Sequence, residues 1–316
     1  MILVTGATGF IGGHLVDRLV AMGRPVRCLV RRPSSIRGAE LVRGDLARGE
    51  GLEAALRDVE CVIHVAGVTK VLRVEEYYAG NSRATANLVR AMDGHAARLV
   101  HVSSLAAVGP STDGLPVDED APPAPFTNYG KSKLEGERAA RARENTVIVR
   151  PPVVYGPRDT DVLQLLRTIS RGYVLEIAGG DRWFSAIYVK DLVTGLISAA
   201  EHSAAVGRTY FLTYAEPHTW NDLAVAAADI MGTHPRVLRV PYGIAQAAGF
   251  AAELWSRVTG KAGIISREKV SEARCTHWTC SPDRAGRELG FSAPTALRDG
   301  LVETLEWYKQ AGWLTY

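Results

Sequence analysis

Little in this chain could staple, charge or anchor it. Four cysteines in 316 residues, Cys28, Cys61, Cys275 and Cys280, are too few and scattered for a disulfide framework and fit a reducing compartment. Cys275, His277 and Cys280 lie close together but lack a fourth ligand and a zinc-site spacing, so no metal is expected. The net charge of +3 is too small to argue for nucleic acid. Internal repeats and low-complexity tracts are absent. The apolar stretch 237–258 is too short and interrupted for a membrane span. It reads as a helix whose apolar face covers a substrate pocket, with a membrane-surface helix as the alternative. The chain opens directly on a strand pattern, so no signal peptide is expected and the expected location is cytoplasmic.

What is present is an ordinary soluble composition, 47% hydrophobic and 22% charged, at a length of one large domain or two coupled ones. The most informative segment is Val4-Thr5-Gly6-Ala7-Thr8-Gly9-Phe10-Ile11-Gly12. Ile2-Leu3-Val4 is a short apolar run, as a buried parallel strand requires. Residues 14–22 carry Leu15, Leu19 and Val20 at helical spacing, and Gly23 is a helix stop. Glycines between a strand and a helix are the context of a dinucleotide-binding turn. Gly6 permits the tight turn, Gly9 lets backbone approach a pyrophosphate, and Gly12 lets the helix pack on the sheet. The helix start offers free N–H groups to phosphates.

A second segment, Tyr129-Gly130-Lys131-Ser132-Lys133, follows two good caps, Thr127 and Asn128, and opens a helix-rich stretch, 133–143. Positions four apart share a helix face, so Tyr129 and Lys133 can address one ligand. A phenol titrates near pH 10, and a nearby ammonium favours the phenolate. That pairing suits proton exchange with a carbonyl or alcohol oxygen.

With these motifs the chain resembles the extended short-chain dehydrogenase/reductases, the NAD(P)-dependent epimerase/dehydratase family. His101-Val102-Ser103-Ser104 resembles the strand ending in the family's catalytic serine. The segment Arg150-Pro151-Pro152-Val153-Val154-Tyr155-Gly156-Pro157 resembles the one that closes over the nicotinamide, and Tyr188-Val189-Lys190-Asp191-Leu192 matches a later landmark. The resemblance implies Ser104, Tyr129 and Lys133 as the catalytic set. Ser104 would fix the reacting oxygen, and Lys133 would also hold the nicotinamide ribose. The same resemblance implies a cofactor site of Gly6, Thr8, Gly9, Phe10, Ile11 and Gly12, joined by Asp45 and Leu46 beside the adenine, then Val65, Ala66 and Gly67, and finally Pro151, Val153 and Val154.

The second strand, 25–30, ends in Val30 where an NAD site would carry an acid, and Arg31 and Arg32 follow. A guanidinium pairs with a 2′-phosphate in forked geometry, so NADP(H) is favoured and NAD(H) remains possible. Further strands are expected at 40–43, 61–65, 99–102 and 146–149. The expected fold is α/β, a Rossmann-type doubly wound parallel sheet with a smaller, discontinuous, mostly C-terminal substrate domain. Residues 1–155, joined by about 187–213, form the dinucleotide-binding domain, and 156–186 with 214–316 the substrate domain. By resemblance, helices at 81–92 and 129–143 form a homodimer seam, with Ala84, Leu88, Val89, Met92, Leu134, Ala139 and Ala140 supplying apolar contact.

Substrate class rests on fewer residues. Sugar-nucleotide members of the family usually carry an arginine just before the Tyr-Val-x-Asp landmark. Here Phe184 takes that place, and Arg182 is two positions away. Trp183, Phe184, Tyr214, Trp220, Tyr242, Phe250 and Trp255 are candidates for an apolar pocket or for plain core packing. The ending, Glu303-Thr304-Leu305-Glu306-Trp307-Tyr308 and Gly312-Trp313-Leu314, resembles bacterial members of the 3β-hydroxysteroid dehydrogenase and dihydroflavonol-reductase-like branch. Three functions are therefore carried forward: an oxidoreductase of a bulky apolar ketone or alcohol, a nucleotide-sugar epimerase or dehydratase, and a non-catalytic NADP(H)-binding sensor.

Overall fold

The computed structural model describes residues 1–177, 179–259 and 267–316. Six apolar segments form the first strands: β1 Ile2–Thr5, β2 Val26–Val30, β3 Glu40–Arg43, β4 Cys61–His64, β5 Arg98–Val102 and β6 Thr146–Arg150. With Thr209–Phe211 they build a seven-stranded sheet. Its order is Thr209–Phe211, β6, β5, β4, β1, β2, β3, and every pairing is parallel. Helices cover both faces, which explains why β1, β2, β4 and β6 are buried along their whole length. Chain order reverses between β1 and β4, so a crevice opens beyond their carboxyl ends. The first helix, Phe10–Ala21, packs Leu15, Val16 and Leu19 against one face. Leu52, Leu56, Leu88 and Met92 close the other.

A second core lies between the helices Val162–Ser170, Trp220–Met231 and Leu297–Gln310. Leu163, Leu166, Leu301, Leu305 and Tyr308 fill it. Trp220–Met231 begins at a capping box. Thr219 Oγ1 accepts from the Asp222 N–H, and the Asp222 carboxylate accepts from the Thr219 N–H.

Two expectations change here. Ala84, Leu88, Met92 and Ala140 are buried within this protomer's own core and cannot supply a dimer seam. Only Val89, Leu134 and Ala139 of that set keep partial exposure. The helical stretch expected at 81–92 is also not uniform. A π-helical turn, Tyr78–Arg83, precedes the α-helix Ala84–Ala91. The sequence pattern gives the 3.6-residue period but not the one-residue bulge within it.

Candidate active site

The glycine turn is closed by contact. Gly6 has φ +75°, and a Cβ there would lie 2.7 Å from the Ala66 nitrogen. A Cβ on Gly12 would lie 2.1 Å from the Gly6 carbonyl oxygen. Any side chain at either position forces the turn, the helix and the β4 end apart. At Gly9, the N-cap, no side chain satisfies the helix start, and the first turn carries no acid. Thr8 and Gly9 are exposed at this rim, while Phe10 and Ile11 turn inward on the cores. The positive end of the helix dipole therefore faces the crevice with its anion-binding capacity intact.

Opposite stands the helix Asn128–Ala140. Thr127 Oγ1 caps it by accepting from the Gly130 N–H at 3.1 Å. A Cβ on Gly130 would come 2.3 Å from the Ala106 carbonyl, so this helix lies directly on the turn after β5. That contact brings Tyr129 near Ser104, whose hydroxyl works to lower the phenol, while Ser104 Oγ accepts from the Ala106 N–H at 3.1 Å. Lys133 is almost fully buried, and its Nζ donates to the Val102 carbonyl at 2.7 Å. A Cβ on Gly67 would lie 3.6 Å from the same Nζ. Ser104, Tyr129, Lys133, Gly67, Ala66 and the glycine turn are thus one neighbourhood at the switch point of the sheet.

Burial sets the electrostatics. Desolvation raises the Tyr129 phenol above its ordinary value, opposed by the nearby Ser104 hydroxyl and the Lys269 ammonium. This departs from the expectation that Lys133 does the lowering, because its ammonium is turned to the Val102 carbonyl. Desolvation lowers Lys133 to about 8, and Glu137 opposes the fall.

Several supporting residues were not anticipated. Asn81, on the π-helical turn, donates to the Val68 carbonyl (3.0 Å) and the Ser132 hydroxyl (2.9 Å), and accepts from the Val68 N–H (2.8 Å). Ser132 Oγ donates to the Tyr129 carbonyl at 2.7 Å. His64, at the end of β4, is a junction. Thr85 Oγ1 donates to the Asn81 carbonyl, so His64 must donate to it through Nε2. His64 Nδ1 then accepts from Thr5 Oγ1 at 2.7 Å, and Thr5 Oγ1 accepts from the Ala66 N–H. Burial, with the charge of Lys133, pulls His64 down to about 3 and holds it neutral. Glu137 and Arg150 form a forked ion pair at 2.9 and 2.8 Å, buried beneath the helix. The sequence signal for this layer was slight: two polar residues, Asn81 and Ser132, inside otherwise helical patterns.

The remaining expected residues lie around this centre. Arg31 and Arg32 are exposed directly after β2, and the nearby Ser34 Oγ is buried with no hydrogen-bond partner. Asp45 turns its own loop by accepting from the Ala47 and Arg48 N–H groups. Leu46 packs partly against the core that includes Leu52 and Leu56. The segment Val153–Tyr155 pairs with Ala186–Tyr188 in a small parallel sheet, with Pro151 buried just before it. His14 Nε2 donates to the Pro157 carbonyl at 2.8 Å, fixing this segment beside the first helix. Val65 follows β4, and its N–H donates to the Thr5 carbonyl.

The aromatic set divides between core packing and the surface. Phe184 is fully buried and stacked on Trp220 at 4.1 Å. Tyr214 is buried against the Tyr155 hydroxyl at 2.6 Å. Phe250 and Trp255 are exposed. The helix Tyr242–Thr259 therefore does not cover a pocket with its apolar face. That face points outward, for reasons taken up below.

Comparison with known proteins agrees with this geometry. The model of the NAD dependent epimerase/dehydratase family matches residues 2–212. A ceramide reductase of Caulobacter vibrioides is 34% identical over 99% of this chain and 96% of its own. A 4-hydroxy-2-methyl-3-oxo-4-farnesyl-3,4-dihydroquinoline-1-oxide ketoreductase of Stigmatella aurantiaca is 29% identical over 94% and 93%. The solved structure of MoeE5 with UDP-glucuronic acid and NAD superimposes with a TM-score of 0.79 at 27% identity, covering 98% of this chain and 99% of that one.

Proposed function

The chain belongs to the NAD-dependent epimerase/dehydratase family, and from that premise we infer that it reduces a ketone, or oxidises the matching secondary alcohol, on a bulky apolar or lipid-like substrate. The observation that carries the chemistry is Tyr129 held against Ser104, with Lys133 buried four residues along the same helix. The substrate class is supported by the activities of the ceramide reductase and the farnesyl-quinoline ketoreductase, which this chain matches over nearly its whole length.

The residues present fit a dinucleotide. Gly6 and Gly12 let the turn, the first helix and the end of β4 close on one another where any Cβ would clash, and the uncapped start at Gly9 suits the pyrophosphate. In this reading Thr8, Phe10 and Ile11 flank the phosphates, and Asp45 and Leu46 the adenine. Val65, Ala66, Gly67, Pro151, Val153 and Val154 line the way to the nicotinamide. Arg31 and Arg32, with the partnerless Ser34 hydroxyl, fit a 2′-phosphate, which favours NADP(H) over NAD(H). Bound nicotinamide supplies or accepts the hydride. Ser104 orients the substrate oxygen, and the Tyr129 hydroxyl gives that oxygen its proton as the carbonyl carbon is reduced. Lys133 places its positive charge by the ribose, and the Ser104 hydroxyl and Lys269 ammonium support the phenolate left on Tyr129 when its proton leaves.

In the same reading, residues 1–155 with 187–213 serve the cofactor, and 156–186 with 214–316 the substrate. The assembly is a homodimer through 81–92 and 129–143, using the partly exposed Val89 and Leu134. The epimerase reading keeps one specific support, the sugar-nucleotide complex of the 27%-identical MoeE5. One screen separates the two. Purified protein with NADPH is offered long-chain and polycyclic ketones, and UDP-glucose with NAD. Consumption of NADPH with the ketones alone is expected. UDP-galactose formed without net nicotinamide change would replace this reading with epimerisation.

A further inference from the structure

The helix Tyr242–Thr259 is packed inside out. Its inward side carries the buried Ala245 and Gly249, together with Gln246, which donates to the hydroxyls of Tyr242 and Ser271. The Tyr242 ring lies 4.9 Å beneath the Arg274 guanidinium. Polar contacts therefore fasten this helix to the segment that follows it. Its outward side carries Ile244, Leu254 and Trp255, exposed at 62%, 56% and 69%, and Phe250 at 56%. At 100° per residue Ile244, Ala247, Ala248, Ala251, Leu254 and Trp255 fall within one arc that contains no charged side chain. The strand Arg236–Val240 leads into the helix and exposes Val237 and Leu238. Single exposed apolar residues need no explanation, but a continuous uncharged helical face marks an interaction surface.

Charge identifies the occupant. Residues 236–261 contain Arg236, Arg239, Arg257 and Lys261 against one acid, Glu253. The excess in this short stretch equals the net charge of the whole chain. Arg236 and Arg239 are exposed just before the apolar face begins, Arg239 in an exposed ion pair with Glu176 at 3.3 Å. A low-charge apolar stripe in a cation-rich stretch of sequence is the composition of a helix lying in a bilayer interface, and the cations select anionic headgroups. No helix among the described residues is long and apolar enough to cross a membrane. We propose that the face of Tyr242–Thr259 bearing Ile244, Leu254 and Trp255 docks the protein on an anionic bilayer surface. This placement stands independently of which substrate is reduced.

The test is co-sedimentation of the full chain with vesicles of phosphatidylcholine alone and of phosphatidylcholine with phosphatidylglycerol. Wild type is expected on the anionic vesicles and released by raised salt. The L254S/W255S variant, altered only at exposed positions, should keep its thermal transition and lose about tenfold or more in partitioning. R236Q/R239Q should lose roughly fivefold per cation on anionic vesicles and nothing on neutral ones. Wild type that ignores both vesicle types overturns the proposal, as does binding that neither variant alters. If light scattering shows that L254S/W255S instead breaks a dimer while vesicle binding is absent, the face belongs to a second copy and the proposal fails.

Discussion

Replacing Lys133 by methionine should abolish turnover and yet stabilise the cofactor-free protein. The lysine is almost fully buried, and burial lowers it from 10.5 to about 8. At 1.36 kcal/mol per pH unit, that fall represents about 3 kcal/mol of cost to the native state. Methionine fills a similar volume without the charge. Against this, the Val102 carbonyl loses its 2.7 Å donor, worth about 1–2 kcal/mol in a buried setting. The net expectation is a gain of about 1–2 kcal/mol, or roughly 2–4 °C in a chain of this size. The pH dependence gives the sign. Below about pH 8 both native and unfolded lysines are protonated, and the full cost is present. From about 8 to 10.5 only the unfolded lysine keeps its proton, so wild type gains stability as pH rises. The advantage of Lys133→Met should therefore be largest at pH 7 and shrink by pH 10. Urea denaturation of both proteins at the two pH values measures this. A variant destabilised by 2 kcal/mol or more at pH 7, with a gap that ignores pH, refutes the reasoning.

Removing one partner of the buried Glu137–Arg150 pair should be far more damaging. Glu137→Gln leaves an uncompensated guanidinium and should cost about 3–5 kcal/mol by the same denaturation assay. His64 should remain neutral, with its proton on Nε2, at pH 5, where ordinary histidines are charged. Nitrogen NMR shifts report this directly, and an imidazolium forming near pH 6.5 would contradict the junction described. Arg31→Ala with Arg32→Ala should weaken NADP(H) about tenfold or more and leave NAD(H) nearly unchanged, read by fluorescence titration. Equal losses for both cofactors would reduce the two arginines to solvated loop charges.

The parallel sheet was legible because its strands are apolar on both faces and the glycine turn punctuates the first of them. Tyr129 and Lys133 were legible as a pair because one helical turn separates them. The supporting layer was not, since Asn81 acts from a π-helical bulge and His64 through hydroxyls on two other elements. Such contacts depend on tertiary approach rather than on spacing. The aromatic residues stayed unassigned between pocket and core for a related reason. Composition cannot tell Phe184, stacked within the core, from Trp255, turned to solvent. Leu88 and Met92 were wrongly assigned to the seam because they satisfy the sheet beneath them before any partner arrives. Amphipathic pattern alone does not say which apolar positions are left over.

The central claim is that Tyr129 supplies the proton as a hydride passes to an apolar ketone. Its most direct measurement is isotope transfer from NADPH deuterated at the transferable C4 position to a long-chain ketone, followed by mass spectrometry of the alcohol. Wild type should place one deuterium on the carbinol carbon, and Tyr129→Phe should bind NADPH normally while slowing that transfer by roughly 10²–10⁴. Tyr129→Phe turning over at the wild-type rate, or deuterium retained on the nicotinamide while a UDP-sugar is epimerised, would contradict the account.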